Sequence, residues 1–220
     1  MDPDTVEILR QGLIVYLILA SSIAIHEWAH AIAADRLGDD LPRLQGRVTL
    51  NPLAHLDPIG TGLIPLFNIF SPLVSGQGFF MLGWGKPVQV DINHFRGRPG
   101  HHMIVVAAGP FSNAIIALGA AFLGGILTRL GININPLIYS IITINCALIV
   151  FNLIPIPPLD GSHFLRYLTG MSEESFYRLS MYGLIIMLVL INLSPFRILI
   201  GTAVQYLRFP FLVILFIVGG

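Results

Sequence analysis

Residues 11–34 read Gln-Gly-Leu-Ile-Val-Tyr-Leu-Ile-Leu-Ala-Ser-Ser-Ile-Ala-Ile-His26-Glu27-Trp28-Ala29-His30-Ala-Ile-Ala-Ala. The run is long and apolar enough to cross a bilayer, which needs about 20 such residues. It is interrupted only at His26, Glu27 and His30. Histidines four apart project from one face of a helix. Both imidazoles can therefore hold one zinc ion, with Glu27 between them placed to act as general base on a zinc-bound water. Ionisable groups at membrane depth are expensive and are functional by default. The alternative is a helix that carries two polar-face histidines and a glutamate with no metal.

Composition agrees with a membrane setting. The chain has 220 residues, 55% of them hydrophobic and 11% charged, with a mean hydropathy of +0.78. A soluble domain carries about 25% charged residues, so too little charge is present here to cover a soluble surface. Net charge is zero and no basic block points to nucleic acid. The single cysteine, Cys146, excludes an internal disulfide and a cysteine-based zinc site, and reads as a small buried hydrophobe. The acidic start (Asp2, Asp4, Glu7) is unlike a secretory signal, so residues 8–37 read as a retained helix.

Further apolar runs at 101–129, 135–155, 178–194 and 197–218 predict four more spans. A sixth run, 59–75, holds Gly60, Gly62, Pro65 and Pro72. Residues 78–92 read as short strands around a glycine turn. The expected fold class is thus an all-α polytopic membrane protein. It has five to six membrane helices, a re-entrant segment at 59–75 and a small membrane-associated β-hairpin. The chain reads as one integral membrane domain over 1–220, with a catalytic core at about 8–170 and two accessory helices in 171–220.

The re-entrant assignment follows from parity. Asp160 ends a Pro-rich stretch, Asn152-Leu-Ile-Pro155-Ile-Pro157-Pro158-Leu-Asp160-Gly161, after the 135–155 helix. Such a stretch breaks a helix and is tolerated at membrane depth only beside a cavity. Asp160 can meet the histidines only if both helices end on one side, so 59–75 must not cross. With that topology Arg36, Arg43, Arg47, Lys86, Arg96, Arg98, Arg166 and Arg178 share the side of the site, against Arg10, Arg129 and Arg197 opposite. The positive-inside rule then places the site toward the cytoplasm. Asp160 is the best third zinc ligand, catalytic zinc taking three protein ligands; its alternative is an N-cap for residues 162–170.

HEWAH at 26–30, Ala-Gly-Pro-Phe-Ser-Asn at 108–113 and Asn152 to Gly161 together resemble the site-2 protease family of intramembrane zinc metalloproteases, over about residues 8–170. The resemblance implies a core of three membrane helices and one zinc ion per chain, held by His26, His30 and Asp160. It implies Glu27 as the base and transmembrane proteins as substrates, cut in or near their spanning segments in the course of regulated intramembrane proteolysis. Asn152 matches a family position that helps hold substrate, and Asn113 falls in a recurrent motif. No stretch is left for the PDZ or nucleotide-binding modules of some members, so a compact member is expected. The cell membrane is the expected location.

Other histidines carry alternatives. His55, in Asn51-Pro-Leu-Ala-His55-Leu-Asp57-Pro58, could gate the site or bind a second metal, or belong to a capped turn. His163, three residues after Asp160, could support the zinc site from behind or sit at a solvated helix start. Two readings compete with a protease. One is a transporter, which also uses broken helices but has no need of Glu between two His; the other is a non-proteolytic adaptor with a zinc site.

Overall fold

Among the described residues five helices are long and apolar enough to cross a membrane: α1 (Pro3–Leu37), α4 (Gly100–Arg129), α5 (Asn135–Asn152), α7 (Glu173–Asn192) and α8 (Ser194–Gly219). Three shorter helices join them, α2 (Leu41–Leu44), α3 (Pro58–Phe67) and α6 (Gly161–Thr169). The computed structural model describes residues 3–67, 69, 83–95, 97, 100–132 and 134–220. The five long helices are those the apolar runs predict, with ends shifted by a few residues. Large apolar side chains such as Leu17, Phe122, Ile185, Leu199 and Phe216 are exposed along them. Surface of that kind is stable against lipid rather than water, and the protein is an integral membrane protein.

Local signals set the helix ends. Asp4 in the first turn of α1 and Arg36 in the last complement its dipole, and Gly38 ends it at φ 112°. Ser172 accepts a hydrogen bond from the Ser175 amide at the start of α7, where Glu173 and Glu174 follow.

The chain divides into two compact units, Met1–Val105 and Val106–Gly220, with the division inside α4. In the first unit α1 leads through α2 and a 3-10 turn (Pro52–Ala54) to α3, which begins with a π-helical turn. Asp57 caps α3 by accepting from the Ile59 and Gly60 amides. A small core joins Ala34, Phe95 and Val105. The described part of the run predicted to be re-entrant is α3. Ten residues rise about 15 Å, half the thickness of a hydrocarbon core. The remainder, residues 70–75, lies outside the described residues, as do residues 78–82 of the predicted hairpin.

No sheet forms among the described residues. Residues 83–91 belong to neither helix nor sheet and make one isolated antiparallel bridge, between Leu56 and Gly85.

In the second unit α5 and α8 lie against α4 around Ala121, Ile138, Ile142, Cys146 and Leu215. Small residues permit the close approach: a Cβ on Gly125 would lie 2.6 Å from the Val218 Cβ, and one on Gly124 would lie 2.7 Å from Ile138 Cγ2. Asn113 and Asn145, both fully buried, join α4 to α5 through an Nδ2–H···Oδ1 bond of 2.9 Å.

Candidate metal centre

The four-residue spacing in α1 stacks His26 on His30, both buried. Their rings meet edge to face at 83° with centroids 4.7 Å apart, and the two Nε2 atoms are 3.1 Å apart. The other nitrogen of His30, Nδ1, lies 2.7 Å from the Val105 carbonyl oxygen. A carbonyl accepts only from N–H, so Nδ1 carries the proton and Nε2 presents its lone pair toward His26. Two nitrogens bound to one tetrahedral zinc at about 2.0–2.1 Å lie about 3.3 Å apart. The pair therefore fits two ligands of such an ion, with the backbone of α4 fixing the tautomer.

Glu27 is half-buried, beside the backbone of Gly85. A Cβ on Gly85 would lie 2.7 Å from Ile23 Cγ2, 2.9 Å from Glu27 Cγ and 3.1 Å from Glu27 Oε1. The neighbouring residues pack as tightly, since a Cβ on Gly60 would strike the Trp84 indole at 2.5 Å and one on Gly83 the Gly60 carbonyl at 2.9 Å. Backbone bonds pin this Gly83–Lys86 strap: Trp84 N–H donates to the Gly60 carbonyl at 3.3 Å, and Lys86 N–H to the His55 carbonyl at 2.8 Å. The buried Arg47 guanidinium donates to the carbonyls of both Ala54 and Lys86. Burial pushes the Arg47 pKa down, and the charge of nearby Glu27 opposes that shift.

His55 is fully buried in this platform. Its Nε2–H donates to the Thr49 carbonyl at 2.7 Å, and its Nδ1 has no hydrogen-bond partner among the described residues. Asn51 accepts from the Leu53 amide, so the Asn-Pro and Asp-Pro pairs do form capped turns around it.

In the second unit, Asp160 occupies the N-cap position of α6 with helical backbone angles and makes no side-chain cap bond. Gly161 allows the turn by close approach rather than by an unusual φ: a Cβ there would lie 2.3 Å from the Leu153 carbonyl oxygen. His163 is half-buried against Phe176, with ring centroids 5.1 Å apart. Asn152, on the last turn of α5, donates to the Leu148 carbonyl at 3.0 Å. Asn113 is engaged with Asn145, whose own amide donates to the Ile141 carbonyl.

Sequence reading missed Arg47, Gly85, Asn145 and the Val105 carbonyl. Glycines flanking Trp84 were a usable sign of close backbone approach. A main-chain carbonyl leaves no sign in a sequence.

A helix-borne histidine pair with an adjacent glutamate has the ligand and base types of a zinc metallopeptidase site. The sequence model of Peptidase family M50 matches residues 128–193, the stretch that holds Asn152, Asp160 and α7. A Bacillus subtilis (strain 168) protein named "Putative zinc metalloprotease YwhC" is 36% identical over 190 residues, covering 81% of each chain. Proteins named "Putative zinc metalloprotease Rip2" are 28% identical in Mycolicibacterium smegmatis and 26% in Mycobacterium tuberculosis, covering 86% and 85% of this chain and 71% of each relative. No solved structure matches the chain significantly. The chain belongs to Peptidase family M50, the site-2 protease family.

Proposed function

We propose that the protein is an intramembrane zinc metalloprotease, cutting membrane proteins in or near their spanning segments. The observation that carries this reading is the His26–His30 Nε2 pair, 3.1 Å apart within a helix apolar and long enough to span. His26, His30 and Asp160 hold one zinc ion, which when bound polarises the scissile carbonyl and acidifies water. Glu27 takes a proton from the attacking water and returns it to the leaving amine.

A helical substrate hides its carbonyls in internal hydrogen bonds and must unwind locally. Asn152 lies at the position read as substrate-holding and Asn113 in a recurrent motif, and residues 86–90, in neither helix nor sheet, offer backbone on which an unwound segment can pair. The charge asymmetry supports a site toward the cytoplasmic face of the cell membrane. Regulated release of a membrane-tethered protein is the fitting role.

The test uses the full chain in detergent, with zinc content and cleavage of single-span membrane proteins as readouts. Native protein should hold about one zinc per chain. Glu27→Gln should keep the metal and lose cleavage by about 10²–10⁴-fold, whereas Asp160→Ala should lose the metal. Cleavage by Glu27→Gln at the native rate would sink the assignment of the base.

A further inference from the structure

The match to the family model extends through α7, and α7 closes directly on the segment that carries Asp160. Gly183 is buried on α7 against the Pro157 carbonyl, where a Cβ would lie 1.8 Å from the oxygen and 2.7 Å from the carbon. Two turns earlier Phe176 packs on His163 at 5.1 Å, with the Arg166 guanidinium 5.4 Å from the same ring. Residues seven apart share a helix face, so one face of α7 makes both contacts. Pro157 lies three residues before Asp160 and His163 three residues after it. The chain is thus gripped on both sides of that carboxylate.

The two grips differ in kind. At Phe176 a ring meets a ring. At Gly183 helix backbone meets loop backbone with no side chain between them, so any displacement passes directly to the loop. The loop cannot recoil freely, because Gly161 is already seated on the Leu153 carbonyl. A metal ligand must stand within about 0.2 Å of its proper distance. By contrast, Gly201 on α8 has open space where its Cβ would be.

We propose that Gly183 and Phe176 are positioning residues of the metal centre, and that α7 presents the Asp160 carboxylate by holding the Pro157–His163 segment. This rests on the reading of Asp160 as third ligand.

The test measures zinc affinity by chelator competition, and the visible spectrum of bound Co(II), on full-length protein in detergent. Variants are Gly183→Ala, Phe176→Ala and Asp160→Ala, with Gly201→Ala as control. Gly183→Ala should weaken zinc about 10–100-fold, the usual effect of disturbing a ligand's support, and should alter the Co(II) bands. Phe176→Ala should act in the same direction and Gly201→Ala should match native. Native affinity and native Co(II) bands in both Gly183→Ala and Phe176→Ala overturn the proposal. Native affinity in Asp160→Ala overturns the ligand assignment instead. If Gly183→Ala elutes aggregated, Phe176→Ala decides, since it opens space rather than filling it.

Discussion

His30 Nδ1 lies 2.7 Å from the Val105 carbonyl oxygen, a bond between α1 and the first turns of α4 that determines which ring nitrogen faces His26. The histidine pair is therefore set by two helices rather than one. His30→Asn isolates the two roles, because the Asn amide can still donate where Nδ1 did but offers no second nitrogen. Zinc affinity should fall by more than about 100-fold, beyond the usual effect of losing a supporting group. Thermal stability without metal should change by only about 1 kcal/mol, since the hydrogen bond to the Val105 carbonyl is kept. A collapse of the fold in this variant would show that the ring, and not the bond, matters to packing.

Gly85 sits against Ile23 and Glu27 with no room for a methyl group. Gly85→Ala should displace the Glu27 carboxylate while leaving the histidines in place. Misplacing a reacting group by about 1 Å can cost about 10²-fold in rate. We expect such a fall in kcat with zinc content unchanged, measured on one membrane substrate. Native turnover would mean the strap yields without moving the base.

The buried Asn113–Asn145 pair supports α4 on α5. Asn145→Ala removes the acceptor of the Asn113 Nδ2–H bond and should destabilise the protein by about 1–2 kcal/mol. Adding Asn113→Ala should cost less than the sum of the single changes. Unfolding in mixed micelles checks this, and strict additivity would argue against a coupled pair.

Asp39 is fully buried and accepts from the Leu41 amide at 3.2 Å, the Asp91 amide at 2.8 Å and His94 Nδ1 at 2.9 Å. The Asp39 hydrogen bond, helped by Asp91 and Asp40, raises the His94 pKa above its ordinary 6.5. A raised histidine pKa gives stability that is full below the unfolded value and is lost as pH rises through the folded one. The melting-temperature advantage of native protein over His94→Gln should be largest near pH ~5.5 and shrink above neutrality. An advantage that grows with pH would reverse this assignment.

The spans, the histidine pair and the Pro-rich break before Asp160 were legible because each is written in local periodicity or in residues with one dominant backbone habit. Asp160 was ambiguous by sequence, since Asp before a helix also reads as a cap; it stands at the cap position of α6 without a side-chain cap bond. Arg47 was invisible as a functional residue, because a buried arginine and a surface one look alike in a loop. Here it joins two carbonyls 32 residues apart, Ala54 and Lys86, a relationship no local window contains. Residues 78–92 show the reverse failure. Their β-rich composition predicts strands, but from residue 83 onward they make backbone bonds only singly, to Gly60 and His55, and no ladder forms among the described residues.

The seating of Leu215 and Val218 of α8 over Ala121, Gly124 and Gly125 of α4 bears on how the protein is made. The ribosome produces α8 long after α4, and distant contacts form late because their loop must first be closed. Until α8 inserts, the glycine surface of α4 faces lipid and the second unit lacks one wall of its core. A nascent chain that already holds every residue of the Asn152–Gly161 segment would still lack that wall. Biosynthetic order thereby delays completion of the second unit's core until α8 is in place.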